Sequence, residues 1–211
     1  MPGTDTYNRE LLARYPMDFV IGSIHYVAVP GEPLVKVWEL PRLAGQKFLD
    51  HYFANLEALL GSGLFDAVGH ADSLLRGVPE DILMRRFEPL LESLAHSGVA
   101  FELNASGLRK SSLDPVTGRE VQGLWSYPSR ELLGQLISCD VPFTVGSDAH
   151  NPSDAGAGIE ELLVALRPLG LKNISYYEQR RRIEVALESL VLPYAPVSLQ
   201  KNLCDLHHDE F

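Results

Sequence analysis

Pro142-Phe143-Thr144-Val145-Gly146-Ser147-Asp148-Ala149-His150 is the stretch on which the fold reading turns: a short apolar run leads directly into Ser, Asp and His. Such a run, bounded by turn residues, suits a strand buried within a sheet. The polar residues after it then fall on the sheet's rim. The same pattern recurs upstream. Asp18-Phe19-Val20-Ile21-Gly22 leads through Ser23 and Ile24 to His25, Phe65-Asp66-Ala67-Val68-Gly69 ends at His70, and Val99-Ala100-Phe101-Glu102-Leu103 ends at Asn104. Helical periodicity fills the gaps, with helices expected over 46–60, 79–97, 129–138 and 154–167. In the first, Phe48, Tyr52, Leu56, Leu59 and Leu60 recur at helical spacing. In the second, Pro79 suits a first turn and Gly98 a helix end. A loop through Pro30, Gly31 and Pro33 follows the first strand, and a last strand is expected over 173–177. Strands alternating with helices predict an α/β fold of about four βα units plus a last strand, around a parallel sheet.

At 211 residues and 45% hydrophobic content the chain suits one compact domain, read over 1–192, followed by an irregular tail over 193–211. The formal net charge of −10 argues against a nucleic-acid partner, because backbone phosphates are bound by clustered Lys and Arg. The exception, Arg180-Arg181-Arg182, reads as a solvated strand end or helix face. No stretch approaches the roughly 20 apolar residues of a membrane span, and the opening MPGTDTYNRE lacks the regions of a signal peptide. A cytoplasmic protein with no membrane partner is expected. Cys139 and Cys204 stand far apart and read as free thiols.

His25, His70, Asn104, Asp148 and His150 all fall at or just beyond the C-terminal ends of consecutive predicted strands, the rim where parallel α/β folds gather ligands and catalytic groups. Imidazole and carboxylate are accepted by zinc, manganese and iron, which makes His25, His70, Asp148 and His150 the expected metal ligands. Asp148 and His150 stand two residues apart, so in an extended segment both would face one cavity. Each histidine taken singly has an ordinary structural reading; their recurrence on successive strand ends carries the metal reading. His51 and His96 lie in predicted helices and His207 and His208 in the tail, so none of the four is an expected ligand. The third strand opens into a long polar loop with Arg109, Lys110, Asp114, Pro115 and Gly118. Arg109 is the expected phosphate contact, since a guanidinium can hold phosphate in a bidentate fork. Gly22, Gly69 and Gly146 permit close backbone packing, and Asp72 either orients His70 or caps the segment after it.

Gly22-Ser23-Ile24-His25-Tyr26, Gly69-His70-Ala71-Asp72, Glu102-Leu103-Asn104-Ala105-Ser106-Gly107-Leu108-Arg109 and Gly146-Ser147-Asp148-Ala149-His150, in this order, resemble the histidinol-phosphate phosphatases of the PHP family over roughly residues 10–185. The resemblance implies a distorted (β/α)₇ barrel with up to three divalent ions at its C-terminal rim. His25 and His70 would hold one ion, Asp148 a second and His150 a third; Asp148 and His150 would be catalytic, and Arg109 with Asn104 would bind substrate. It further implies hydrolysis of L-histidinol phosphate to L-histidinol and phosphate, a step of histidine biosynthesis, by a metal-activated water. Family members open with an extra region bearing a His-x-His pair, further histidine ligands and a bridging glutamate, whereas residues 1–14 here contain no histidine. The barrel is therefore expected to be N-terminally incomplete, with fewer ions than the family's three, and its open edges favour a homo-oligomer. Three explanations fit: a start downstream of the full protein's, which we favour, a second polypeptide that supplies the missing part, or a remnant without catalysis. The alternatives to a histidinol-phosphatase are thus a metal-binding or interaction module without turnover, and a PHP phosphoesterase acting on another small phosphate ester.

Overall fold

The computed structural model of the chain describes residues 5–39, 45–76, 78–113, 120–122 and 127–190. In chain order the strands are β1 (Ile21–Gly22), β2 (Tyr26–Val27), β3 (Val35–Lys36), β4 (Ala67–Val68), β5 (Ala100–Asn104), β6 (Ser111–Leu113), β7 (Glu120–Gln122), β8 (Phe143–Gly146), β9 (Asn173–Glu178) and β10 (Arg181–Ala186). The helices are α1 (Asp5–Arg14), α2 (Gln46–Gly61), α3 (Glu80–Phe87), α4 (Leu91–Ser97), α5 (Arg130–Ser138) and α6 (Ile159–Leu166).

The four apolar runs each form a strand of one parallel sheet, in the order β1-β4-β5-β8. Ile21 lies opposite Ala67, Val68 opposite Phe101 and Asn104 opposite Gly146. Because the strands are parallel, His25, His70, Asn104 and Asp148 emerge at the same rim. All five residues of β5 are buried, as expected for an inner strand of a covered parallel sheet. Among the described residues the parallel strands form an open four-stranded sheet. Phe48, Tyr52, Phe53, Leu56 and Leu60 of α2 enter the core, and edge-to-face contacts run from Tyr52 through Phe53 and Phe87 to Phe101 with centroids 5.3, 5.1 and 6.3 Å apart. Each such pair adds about 0.5–1.5 kcal/mol beyond area burial.

Departures from the sequence reading have local causes. The helix expected over 79–97 is divided into α3 and α4 by a 3-10 turn at Glu88–Leu90, where Pro89 lacks the N–H that a continuous helix needs. The helix expected from 154 begins at Ile159, because Gly156 and Gly158 hold φ of +77° and +80°. Ser129 caps α5 by accepting a hydrogen bond from the Leu132 amide. The loop around Pro30 joins a short antiparallel pair, β2 and β3.

Within the arginine run, Arg181 and Arg182 are exposed at the start of β10, as the reading of a solvated strand end has it, and Arg180 is the correction. Gln179 and Arg180 form a two-residue turn with φ of +51° and +65°, the primed hairpin geometry, and β10 pairs antiparallel with β9 from Arg181 onward. Arg180 is not a solvated charge: its guanidinium sits 2.6 Å from the carboxylate of Asp66, whose side chain is 8% exposed, and donates to the Leu64 carbonyl at 2.7 Å. No described helix is long and apolar enough to cross a membrane. Cys139 is a free thiol; Cys204, His207, His208 and the expected tail over 193–211 lie outside the described residues.

Candidate functional site

At the C-terminal rim of the sheet a cleft of about 410 Å³ is lined by His25, Tyr26, Trp38, His70, Ser73, Lys110, Asp148 and His150. The loops after β1 and β4 bring the Nε2 edges of two mutually tilted imidazoles together, His25 Nε2 lying 3.3 Å from His70 Nε2. Two nitrogens at about 2.0–2.1 Å from one tetrahedral ion sit roughly 3.3–3.4 Å apart. The pair therefore fits two ligand positions of a single divalent ion. Burial holds the His70 pKa below the usual histidine range, with the nearby Asp148 charge opposing that shift and His25 and Lys110 reinforcing it. A neutral imidazole is the form that ligates metal.

Asp148 follows β8 with φ of +51°, and His70 follows β4 with φ of +32°. Both residues depart from the extended conformation where they meet the cleft, a backbone state that costs free energy and clusters at functional sites. The expectation that Asp148 and His150 face one cavity because the segment is extended is thus corrected in its reason. A turn brings them together: His150 Nδ1 donates to the Asp148 carbonyl at 3.0 Å and lies 3.8 Å from its carboxylate. With the proton on Nδ1, the Nε2 lone pair of this 81% exposed side chain is available. Among the described residues no group of three or more His, Cys, Asp or Glu side chains is placed to hold one ion. The four expected ligands share the cleft as a close histidine pair with Asp148 and His150 beside it.

Arg109 and Asn104 do not line the cleft. Arg109 donates to the Ala157 carbonyl at 2.8 Å and to the Ser147 carbonyl, so its fork ties down the loop after β8. Asn104 is 0% exposed, and both ends of its amide are taken up inside the protein. Lys110 is the cation that reaches the cleft, 3.8 Å from Asp148 Oδ2 and 5.4 Å from the centre of the Tyr127 ring. Asp72 neither touches His70 nor caps the segment after it; its Oδ2 accepts from the Ser129 amide at 2.7 Å.

Glu102 was not read as a site residue, yet it lies directly behind the cleft. Its Oε2 accepts from the His70 amide at 2.8 Å and from Asn104 Nδ2 at 2.9 Å. A Cβ on Gly146 would stand 2.3 Å from Glu102 Oε1, and one on Gly69 would stand 3.3 Å from Oε2 and 2.4 Å from Ser23 Oγ. The close packing expected of these glycines therefore makes room for a carboxylate. Burial raises the Glu102 pKa, against the two hydrogen bonds it accepts. A charged residue in the middle of an apolar run was the available signal, since an unpaired buried charge is too costly to keep. Tyr26 and Trp38 carried no comparable signal: they reach the cleft through the β2–β3 pair, where their rings lie 6.5 Å apart.

A PHP domain model matches residues 2–106, a span that includes His25, His70 and Asn104. Residues 2–106 thus match a PHP domain. The chain is 29% identical over 187 residues to the probable histidinol-phosphatase of Deinococcus radiodurans, covering 85% of the chain and 65% of that relative. It is 23% identical over 188 residues to the probable histidinol-phosphatase of Schizosaccharomyces pombe, covering 81% of the chain and 57% of that relative. The chain thus spans less than two thirds of the length of either relative. Among solved structures, the histidinol phosphate phosphatase of Lactococcus lactis, complexed with Zn, L-histidinol and phosphate, superposes with a TM-score of 0.60 at 16% identity, covering 87% of this chain and 68% of that one. At that identity the likeness speaks for the PHP fold.

Proposed function

We propose that the chain is a metal-dependent phosphomonoester hydrolase that converts L-histidinol phosphate to L-histidinol and phosphate. The observation that carries the reading is the convergence of the His25 and His70 Nε2 atoms, 3.3 Å apart, in a cleft that Lys110, Asp148 and His150 also line. His25 and His70 would hold one divalent ion, with Asp148 and His150 available to others; zinc, manganese and iron all suit these donors. Such a cation, when bound, supplies a water of lowered pKa and neutralises charge on phosphoryl oxygens. Lys110 presents an ammonium to the phosphoryl group, in the role first expected of Arg109. His150 Nε2 would accept a proton or ligate. Tyr26 and Trp38 offer aromatic surface to the planar imidazole carried by the histidinol part of the substrate. The L-histidinol and phosphate bound by the Lactococcus protein support this choice of substrate over other small phosphate esters.

Phosphate release from L-histidinol phosphate, measured with added zinc, manganese or iron and again after chelation, tests the reading. Turnover that chelation abolishes and that His70→Ala lowers at least about 100-fold is expected. A metal-binding module without turnover is the second reading. It is favoured by the lack of a three-ligand cluster among the described residues. Stoichiometric metal by elemental analysis with no phosphate release under any of these conditions would select it.

A further inference from the structure

Glu102, Asn104 and Ser106 are 5%, 0% and 4% exposed, and their polar atoms form one continuous chain of hydrogen bonds between two sides of the cleft. Lys110 Nζ donates to Ser106 Oγ at 2.9 Å. Ser106 Oγ donates in turn to Asn104 Oδ1 at 2.6 Å, and the Ser106 amide donates to the same oxygen at 2.9 Å. Asn104 Nδ2 then donates to Glu102 Oε2 at 2.9 Å, which also accepts from the His70 amide at 2.8 Å. The direction of every bond is determined by its neighbours. Lysine and backbone amides can only donate, so Asn104 Oδ1 and Glu102 Oε2 must accept, which turns the serine proton inward and the asparagine Nδ2 toward Glu102. Gly69 and Gly146 leave the space in which the carboxylate sits.

A buried carboxylate, amide and hydroxyl are retained without cost only when each is fully paired, and a paired network of this kind rigidifies what it touches. Here it touches the cation of the cleft at one end and the amide of His70, a residue at φ +32°, at the other. We propose that Glu102, Asn104 and Ser106 are positioning residues that set the Lys110 ammonium and the His70 imidazole relative to each other across the cleft, so that a phosphoryl group held by the ammonium lies beside the ion that His70 would hold. The assignment rests on the phosphatase reading for the identity of the ligand and on the hydrogen-bond chain for the residues.

Inorganic phosphate binding to the intact chain, measured by titration calorimetry, reads one end of the chain, and long-range ¹H–¹⁵N spectra of the imidazoles read the other. Ser106→Ala should weaken phosphate roughly tenfold, the low end of what residues behind a site contribute, and Ser106→Thr, which keeps a hydroxyl, should restore most of the loss. Thr144→Val removes a different buried hydroxyl, one that donates to the Ser175 carbonyl at 3.0 Å; it should lower stability comparably and leave phosphate affinity unchanged. Asn104→Ala should shift the His70 ring signals and leave those of His150 in place. Phosphate affinity unmoved by Ser106→Ala, or equally lowered by Thr144→Val, overturns the proposal, as does a His70 signal untouched by Asn104→Ala. A wild-type chain that binds no phosphate sinks the phosphatase reading instead, and the His70 signal then decides the positioning role without it.

Discussion

His70 and Asp148 reach the cleft through positive φ, and what holds them there is small-residue packing around a buried acid. Gly146 shows this most directly, since a Cβ at that position would lie 2.3 Å from Glu102 Oε1. Gly146→Ala is expected to cost about 1–3 kcal/mol, as overpacking does. In a Glu102→Ala background the added cost should fall close to zero, a coupling that urea unfolding of the four variants would reveal and that strict additivity would refute. Asp72 makes a second prediction. It is 1% exposed, its Oδ1 has no hydrogen-bond partner among the described residues, and burial raises its pKa to about 7. A folded-state pKa above the unfolded value means that the native state holds the extra proton. Stability from this group is present in full below about pH 4, near the unfolded pKa, and is lost as pH rises through about 7. Asp72→Asn keeps an acceptor for the Ser129 amide and never ionises. Its stability relative to wild type should rise between pH 4 and pH 8, by on the order of a few kcal/mol, and a difference flat across denaturation curves at those two pH values would contradict the assignment.

Among the elements, the β9–β10 hairpin acts as a clamp on the entry side of the sheet. Its turn donates the Gln179 amide to Asp18 Oδ1 and the Arg180 amide to the Asp18 carbonyl, both at 2.9 Å, while Asp66 also accepts from the Val20 amide at 2.7 Å. Arg180 and Asp66 thus tie the hairpin to the starts of β1 and β4. Removing the arginine leaves a buried carboxylate without its counter-charge. Because the Arg180 side chain is 34% exposed, Arg180→Ala should cost about 2–4 kcal/mol, somewhat below a fully buried pair. Asp66→Asn in the same chain should recover part of that loss in thermal unfolding; no recovery would mean that the guanidinium acts through packing alone. Legibility in the sequence divided along the same line. The four parallel strands could be read because their apolar runs are nearly unbroken, as the burial of β4 and β5 on both faces requires. Of the hairpin, β9 was legible as the last strand expected over 173–177, and β10 was not, because Arg181-Arg182-Ile183-Glu184-Val185 carries charge on a strand whose partner gives it backbone pairing without deep burial.

For the molecule as a whole, one apolar cluster joins Val27 and Val35 of the β2–β3 pair to α2 through α6 and to the parallel sheet. A shared core predicts a single cooperative unfolding transition for the chain, with far-UV circular dichroism and aromatic fluorescence superimposing. Two separated midpoints would show instead that the part around β2 and β3, which carries Tyr26 and Trp38, folds independently of the sheet.

The sequence alone determined the α/β alternation, the four parallel strands and the rim on which His25, His70, Asp148 and His150 meet, because hydrophobic periodicity and strand ends are local properties of the chain. Tertiary structure decided which neighbouring cation faces the cleft, since Arg109 and Lys110 are adjacent in sequence and diverge once Arg109 finds the Ser147 and Ala157 carbonyls. It also decided that Asn104 turns inward to Glu102 and that Arg180 is paired. Polar partners that lie 32 to 114 residues apart, as Glu102 does from the His70 amide and Arg180 from its ion-pair partner Asp66, leave no periodic trace, and buried polar groups take their roles from such partners.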